Sequence, residues 1–295
     1  MLGAIEAGGT KFVCGVGTSP ADFETCHIPT TLPDATLAAV FRFFHQHAAG
    51  QLEAVGIGSF GPVDLDPTSR KYGHITSTPK RHWANYDLVG TVKRTLGIPV
   101  GFDTDVNAAA LGEARWGGAP GLRDFVYLTI GTGIGGGAMI GGEILHGLVH
   151  SEMGHMRIPH DMSADPFAGC CPFHRDCLEG LASAPAIRAR WGIDAHDLPA
   201  DHAAWPLEAS YLALAVANLT LTLSPRRILL GGGVMRRSEL FTLIRMEVSR
   251  ILNGYIQHDE ILNRLDEYIA QAQLGVRAGV LGALILAEHA LHNQS

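Results

Sequence analysis

Apolar positions recur along this chain in two alternating rhythms, one of strands and one of helices. Apolar runs at 2–7 and 12–17 flank the turn Gly8-Gly9-Thr10-Lys11, which predicts two strands joined by a hairpin. Residues 24–28 extend the same sheet. From Pro33-Asp34 to about residue 48, Leu37, Val40, Phe41 and Phe44 return at helical spacing and define one apolar helix face. A strand over 52–59, a helix over 87–96 and a strand over 98–102 follow. Between the first two of these, 66–83 is a loop rich in Thr, Ser, Pro and Gly that carries Trp83. A loop of that length inside a domain is often a binding loop, and a solvated excursion fits its composition nearly as well.

The strand at 98–102 runs into Asp103-Thr104-Asp105-Val106-Asn107, and a helix over 105–117 begins at once. Asp105 suits the helix N-cap. A carboxylate at a strand's carboxyl end also sits where α/β folds bind ligands. Both readings stand for Asp105, whereas Asp103 reads as a cap or turn residue. The opening pattern then repeats: strand 124–130, the tip Gly131-Thr132-Gly133, strand 134–140, with Gly142-Glu143 turning a further hairpin. A strand, Gly-Thr tip and strand found twice marks an internal duplication.

Residues 178–190 are mainly helical with a break near Pro185, and 206–223 predicts a strongly apolar core helix. A strand at 227–230 enters Gly231-Gly232-Gly233, and a helix starts near 237. A short strand at 267–271 and a helix over 276–289 close the pattern, with Gly275, Gly279 and Gly282 expected to allow close packing. The alternation predicts two α/β domains. No Pro/Ser-rich linker separates them. The expected division gives residues 1–117 plus about 276–295 to a smaller N-terminal domain, and 118–275 to a larger C-terminal one.

Composition narrows the function. A net charge of −7 speaks against a nucleic-acid scaffold. No apolar run has transmembrane length without polar interruption, and Glu6 breaks any signal-type apolar core, so neither membrane nor secretion is expected. Three of the five cysteines, Cys170, Cys171 and Cys177, lie among His155, His160 and His174. That clustering reads as reduced thiols holding a metal in the cytoplasm. Cys171, His174 and Cys177 form C-x2-H-x2-C, and with His155 they make a four-donor set for zinc. Four protein donors leave no open coordination position, so the zinc is expected to be structural. Cys170 competes with Cys171 as ligand, and the symmetric spacing favours Cys171. Glu152 and Glu179 flank the loop. At the Gly-rich tips, backbone N–H groups beside a hydroxyl and a lysine can cradle phosphate oxygens, although GGT alone serves equally as a plain hairpin. Cys14 and Cys26 read as small buried residues. His45, His47, His74, His146 and His258 read as surface or core residues.

EAGGTK at 6–11, SFGPVD at 59–64, TDVNAAALGE at 104–113, IGTGIGGG at 130–137, EMGH at 152–155, CPFHRDCLEG at 171–180 and LGGGV at 230–234 occur in one order. Together they resemble the ROK family of sugar kinases over nearly the full length, and within it the zinc-containing bacterial fructokinases. The resemblance implies an actin-like (ribonuclease H-like, duplicated) two-domain fold with an ATP/sugar cleft. It implies ATP and Mg2+ as cofactors besides zinc, a sugar substrate, and a homodimer. Asp105 matches the catalytic base. Gly8, Gly9, Thr10 and Lys11 match the first phosphate motif, with Glu6 standing where Asp is commoner. Thr132 and Gly133 match the second motif, Gly231, Gly232 and Gly233 the adenosine motif, and Pro185 a nucleotide contact. Asn107, Glu152, His155 and Glu179 match the substrate-binding positions. His155, Cys171, His174 and Cys177 are the metal set. Thr104 departs from the Asn of glucose-type members. The implied activity is transfer of the ATP γ-phosphoryl group to the 6-hydroxyl of D-fructose. The same chemistry on glucose, mannose or an N-acetylhexosamine is the alternative. A sugar-sensing regulator would need a DNA-binding segment, and the first strand begins at residue 2. A zinc-stabilised sugar-binding protein would not need Asp105 and both tips.

Overall fold

A computed structural model of the protein describes residues 1–48 and 50–292. The chain divides into two compact units. One comprises residues 1–120, 144–151 and 276–295, the other 121–143 and 152–275.

In the first unit, β1 (Leu2–Ala7), β2 (Lys11–Gly17) and β3 (Glu24–Pro29) form an antiparallel meander. After α1 (Pro33–Ala48), β4 (Ala54–Ser59) joins β1 in parallel. A two-stranded hairpin, β5 (His74–Ile75) and β6 (Tyr86–Asp87), precedes α2 (Leu88–Leu96). Then β7 (Val100–Thr104) joins β4 in parallel and leads into α3 (Asp105–Trp116). The sheet order is β3-β2-β1-β4-β7.

The second unit repeats that order. Its strands are β8 (Phe125–Ile130), β9 (Ile134–Ile140), β10 (Glu143–Ile144), β11 (Ile228–Gly231) and β12 (Ile269–Gln271), arranged β10-β9-β8-β11-β12. As in the first sheet, the leading pair β8 and β9 is antiparallel, and β11 runs parallel to both neighbours. The duplicated hairpin legible in the sequence is therefore the leading edge of a duplicated five-stranded sheet. Helices α4 (Leu178–Ala182), α5 (Ala184–Trp191), α6 (Ala204–Leu223), α7 (Glu239–Leu252), α8 (Asp259–Leu262) and α9 (Leu265–Tyr268) belong to this unit. Helix α6 is long and apolar enough to cross a membrane, yet 56% of its apolar window is buried, and it packs on α7. It is the core helix its composition predicts.

Strand alternation sorts the first unit's core. Ile5 and Ala7 enter one cluster with Leu37, Val40 and Phe44 of α1, while Ala4 faces Val280, Ala283 and Leu284. Phe43, not Phe41, completes the buried face of α1; Phe41 packs at its edge and stays partly exposed. The last helix, α10 (Ala278–His292), returns to this unit and is buried on nearly every side over 278–287. It lies against β1, β4, β7 and α3. At Gly282 a Cβ would fall 1.5 Å from the Ala108 carbonyl oxygen, so α10 and α3 touch backbone to backbone. Gly275 plays a different part from the one expected. It has φ 55° and open space around it, so it serves a left-handed turn and not close packing.

The loop at 66–83 is anchored. Trp83 is 1% exposed, stacks 5.2 Å from Phe12, and donates its indole N–H to the Thr31 carbonyl at 2.8 Å. Its composition fits a binding loop or a solvated excursion, and its last residue is a core residue.

Candidate functional site

In the first unit, Gly8-Gly9-Thr10 is the tip between β1 and β2. The Gly8 N–H donates to the Lys11 carbonyl at 3.1 Å and closes the turn. Thr30 braces the tip from β3's end, its hydroxyl donating to Gly8 O at 2.7 Å and its N–H to Thr10 O at 3.0 Å. The Lys11 ammonium lies 3.1 Å from His27 Nδ1 on the exposed edge of the neighbouring strand.

Asp105 is the first residue of α3, and it is not the cap. Thr104 ends β7 in extended geometry, φ −69° and ψ 156°, and its hydroxyl accepts the Asn107 N–H at 3.1 Å. An N-cap needs that extended backbone, which the preceding strand supplies one residue earlier than expected. Asp105 is then the acid at the positive end of α3. Its Oδ1 accepts the Val106 N–H at 2.9 Å.

Asp103 is neither cap nor simple turn. It is buried, with Oδ1 accepting from Thr104 N and Asn107 Nδ2, both at 2.7 Å, and Oδ2 2.9 Å from His146 Nε2. This bond raises the pKa of His146. Asn107 is 1% exposed, so its amide is held among these groups. His150 lies in the same unit and accepts the Val63 N–H at Nε2, 3.1 Å, with its pKa lowered by burial. Val63 belongs to the SFGPVD stretch. Sequence reasoning read His146 as a surface or core residue and passed over His150, because their partners lie 43 and 87 residues away and only tertiary structure joins them.

Glu6, near the end of β1, is pushed up to about 7, first by burial and then by the Asp105 charge. Its Oε2 is buried without a hydrogen-bond partner. Gly279 of α10 makes the room for it: a Cβ there would fall 2.5 Å from Glu6 Cδ.

In the second unit, three predicted motifs converge. The tip Gly131-Thr132-Gly133 is closed by Gly131 N–H to Gly133 O at 2.9 Å. The Ala184 N–H donates to Gly131 O at 2.8 Å, which joins the first turn of α5, with Pro185, to that tip. Gly232 has φ 89°, and a Cβ there would lie 2.3 Å from Ile130 O, so the triple glycine turns directly against β8. Thr132, Gly133, Pro185 and the glycines 231–233 therefore form one locality.

The cysteine–histidine loop also closes as a group. The donor atoms of His155, Cys171, His174 and Cys177 all lie within 4.8 Å of one another. Cys171 Sγ is 3.8 Å from His155 Nδ1 and 3.7 Å from His174 Nδ1, and Cys177 Sγ is 3.6 Å from His155 Nδ1. Zinc–sulfur and zinc–nitrogen bonds of ordinary length set at the tetrahedral angle separate S and N by about 3.6 Å. The set fits a tetrahedral zinc ion. Cys171 and Cys177 are buried, whereas Cys170 is exposed and outside the group.

Cys177 is also the residue before α4, and two residues later Glu179 Oε2 accepts the Ile134 N–H at 2.9 Å. The loop is thus linked through α4 to the base of the second tip. Glu152 precedes the single turn Met153–His155, and its carbonyl accepts the His155 N–H at 2.9 Å. Burial raises the Glu152 pKa, and the nearby Glu179 adds to the rise. Glu152, His155 and Glu179 accordingly gather beside the four-donor loop.

Two glycine-tipped α/β units with the same sheet order, a carboxylate heading a helix in one and a four-donor loop in the other, define a phosphate-handling actin-like protein. Residues 2–290 match the ROK family, and the chain belongs to it. A Bacillus subtilis relative is 49% identical over 296 residues, covering 100% of this chain and 98% of its own. The fructokinase of Pediococcus pentosaceus is 44% identical over 294 residues, 99% of each chain. A ROK family glucokinase from Streptomyces griseus, solved in complex with glucose and AMPPNP, superposes with a TM-score of 0.78 at 26% identity, over 98% of this chain and 99% of that one.

Proposed function

We propose that this chain is an ATP-dependent fructokinase that phosphorylates the 6-hydroxyl of D-fructose. The observation that carries the reading is Asp105: Thr104 caps α3, so the Asp105 carboxylate is not needed for the cap and heads the helix beside the first tip. Full-length relatives named fructokinase at 40% to 44% identity support the ketose as acceptor.

Asp105 accepts the hydroxyl proton as the sugar oxygen attacks the γ-phosphorus. Asp103, Asn107 and His146 hold the start of α3 in place. Gly8 closes the first tip, and Gly9 and Thr10, with Thr132 and Gly133, offer N–H and hydroxyl groups to phosphate oxygens. Gly231, Gly232, Gly233 and Pro185 border the nucleoside. Mg2+ bound with the nucleotide would supply neutralisation of phosphate charge. Glu152, His155 and Glu179 recognise sugar hydroxyls. His155, Cys171, His174 and Cys177 hold zinc, which pins the loop that carries those three and takes no part in the transfer. The all-thiol cysteines support a reducing, cytoplasmic location. The family resemblance supports a homodimer, which sedimentation checks.

The test is a panel of fructose, glucose, mannose and N-acetylhexosamines with ATP, read by coupled ADP release. Fructose should give the highest kcat/KM, with fructose 6-phosphate as product. Preference for an aldose would reassign the substrate, and no turnover on any hexose would remove the kinase reading.

A further inference from the structure

The first phosphate tip has a lysine in its motif, Lys11, whose charge acts to lower the pKa of Glu6 while its ammonium rests against a histidine of the neighbouring strand. Lys11 begins β2 with its side chain on the exposed edge, and its ammonium sits 3.1 Å from His27 Nδ1. Another lysine covers the tip. Were Gly9 to carry a Cβ, that atom would lie 3.0 Å from Lys80 Cε and 3.9 Å from both Cδ and Cγ. The Lys80 stem therefore crosses over the Gly9 backbone.

This placement is built into the fold. The Trp83 N–H donates to the Lys80 carbonyl at 3.1 Å, and the Lys80 N–H to Thr78 Oγ1 at 3.3 Å, so Lys80 lies in a closed turn. The buried Trp83 indole holds that turn to Thr31 O. The adjacent residue, Thr30, makes both bonds that brace Gly8 and Thr10. One short path of hydrogen bonds thus ties the Lys80 turn to the glycine tip. Among the described residues no carboxylate pairs with the Lys80 ammonium. An unpaired cation laid across a bare glycine suits a multiply charged oxyanion.

We propose that Lys80, not Lys11, is the side-chain cation of the first phosphate tip and contacts the phosphoryl group in transit. The inference rests on the fructokinase reading above. In that step the sugar oxygen forms its bond to the γ-phosphorus, the bond to the ADP oxygen breaks with its electron pair, and the proton passes to Asp105. Lys80 neutralises charge on the non-bridging oxygens and exchanges no proton.

The test compares Lys80→Met, which keeps the stem and removes the charge, with Lys80→Arg, which keeps the charge. With the melting temperature as a check on folding, Lys80→Met should lose roughly 10²-fold in kcat while the fructose KM stays within about twofold. Lys80→Arg should recover most of the loss. In calorimetry without sugar, Lys80→Met should bind MgATP about tenfold more weakly and adenosine unchanged. Wild-type kcat and MgATP affinity in Lys80→Met would overturn the inference and leave the kinase reading standing. Equal loss in the Arg and Met variants would overturn it too, since shape and not charge would then matter. Should wild type bind MgATP but transfer nothing to any hexose, the kinase reading fails and the calorimetry still decides Lys80. A wild-type chain that binds no nucleotide overturns both.

Discussion

Thr104 decides what Asp105 does. Both residues have a side-chain oxygen fit to cap a helix, so the sequence leaves the choice open; the extended backbone at the end of β7 gives the cap to Thr104. Asp105→Asn should therefore fold and melt as wild type does, yet lose about 10²- to 10⁴-fold in kcat, because an amide cannot take the proton. Near-normal turnover would remove Asp105 from the mechanism. Glu6 supplies a second test at this scale. Its pKa rises from 4.5 to about 7 in the folded chain, so the neutral form favours folding. That contribution is whole below about pH 4.5 and is lost as pH rises through about 7, up to roughly 3 kcal/mol. Glu6→Gln should flatten the fall in urea-unfolding stability of the ligand-free protein between pH 5 and pH 8. An unchanged slope would mean that Glu6 ionises freely. Asp103 and Lys80 were not legible in this way. Asp103 reads from the sequence as a cap or turn residue and Lys80 carries no signal of its own, and only the partners His146 and Gly9 reveal their places.

Among the elements, the four-donor loop was the most legible, because metal ligands must lie close together and their spacing records it. The structure adds what the loop is joined to. Cys177 leads into α4, and α4 sets Glu179 under the second tip at Ile134. Removing zinc with a chelator should speed hydrogen exchange over 152–180 and raise the fructose KM roughly tenfold, with kcat less affected, since a site held loosely loses positioning first. Unchanged sugar affinity in the metal-free protein would separate the loop from the substrate. Helices were legible as elements and less so in their faces. Phe41 and Phe43 of α1 exchanged roles because the wide apolar stripe of that helix admits either. The composition of the 66–83 loop left a binding loop and a solvated excursion both open, and one aromatic residue, Trp83, anchors it to the core.

For the whole molecule, the duplication was legible from its two hairpins, and the matching sheet orders extend it to ten strands. The segment 144–151 was not. Its assignment to the first unit depends on contacts of His146 and His150 with residues far back in the chain. The last helix differs: the sequence division already gave about 276–295 to the first domain, and α10 contacts α3 and the first sheet. Gly282→Ala should cost about 2–3 kcal/mol in urea unfolding, because backbone must move to admit the methyl group beside Ala108. A neutral substitution would show that the two helices can separate at no cost. The position of α10 also bears on how the protein is made. Translation delivers β1 before the second unit and α10 after it, so the ribosome releases the whole second unit while Ala4, Val13 and their neighbours still wait for Val280 and Leu284. The unit whose strands are made before the other is thus the one completed after it, and until α10 arrives one face of its sheet lacks the helix that covers it.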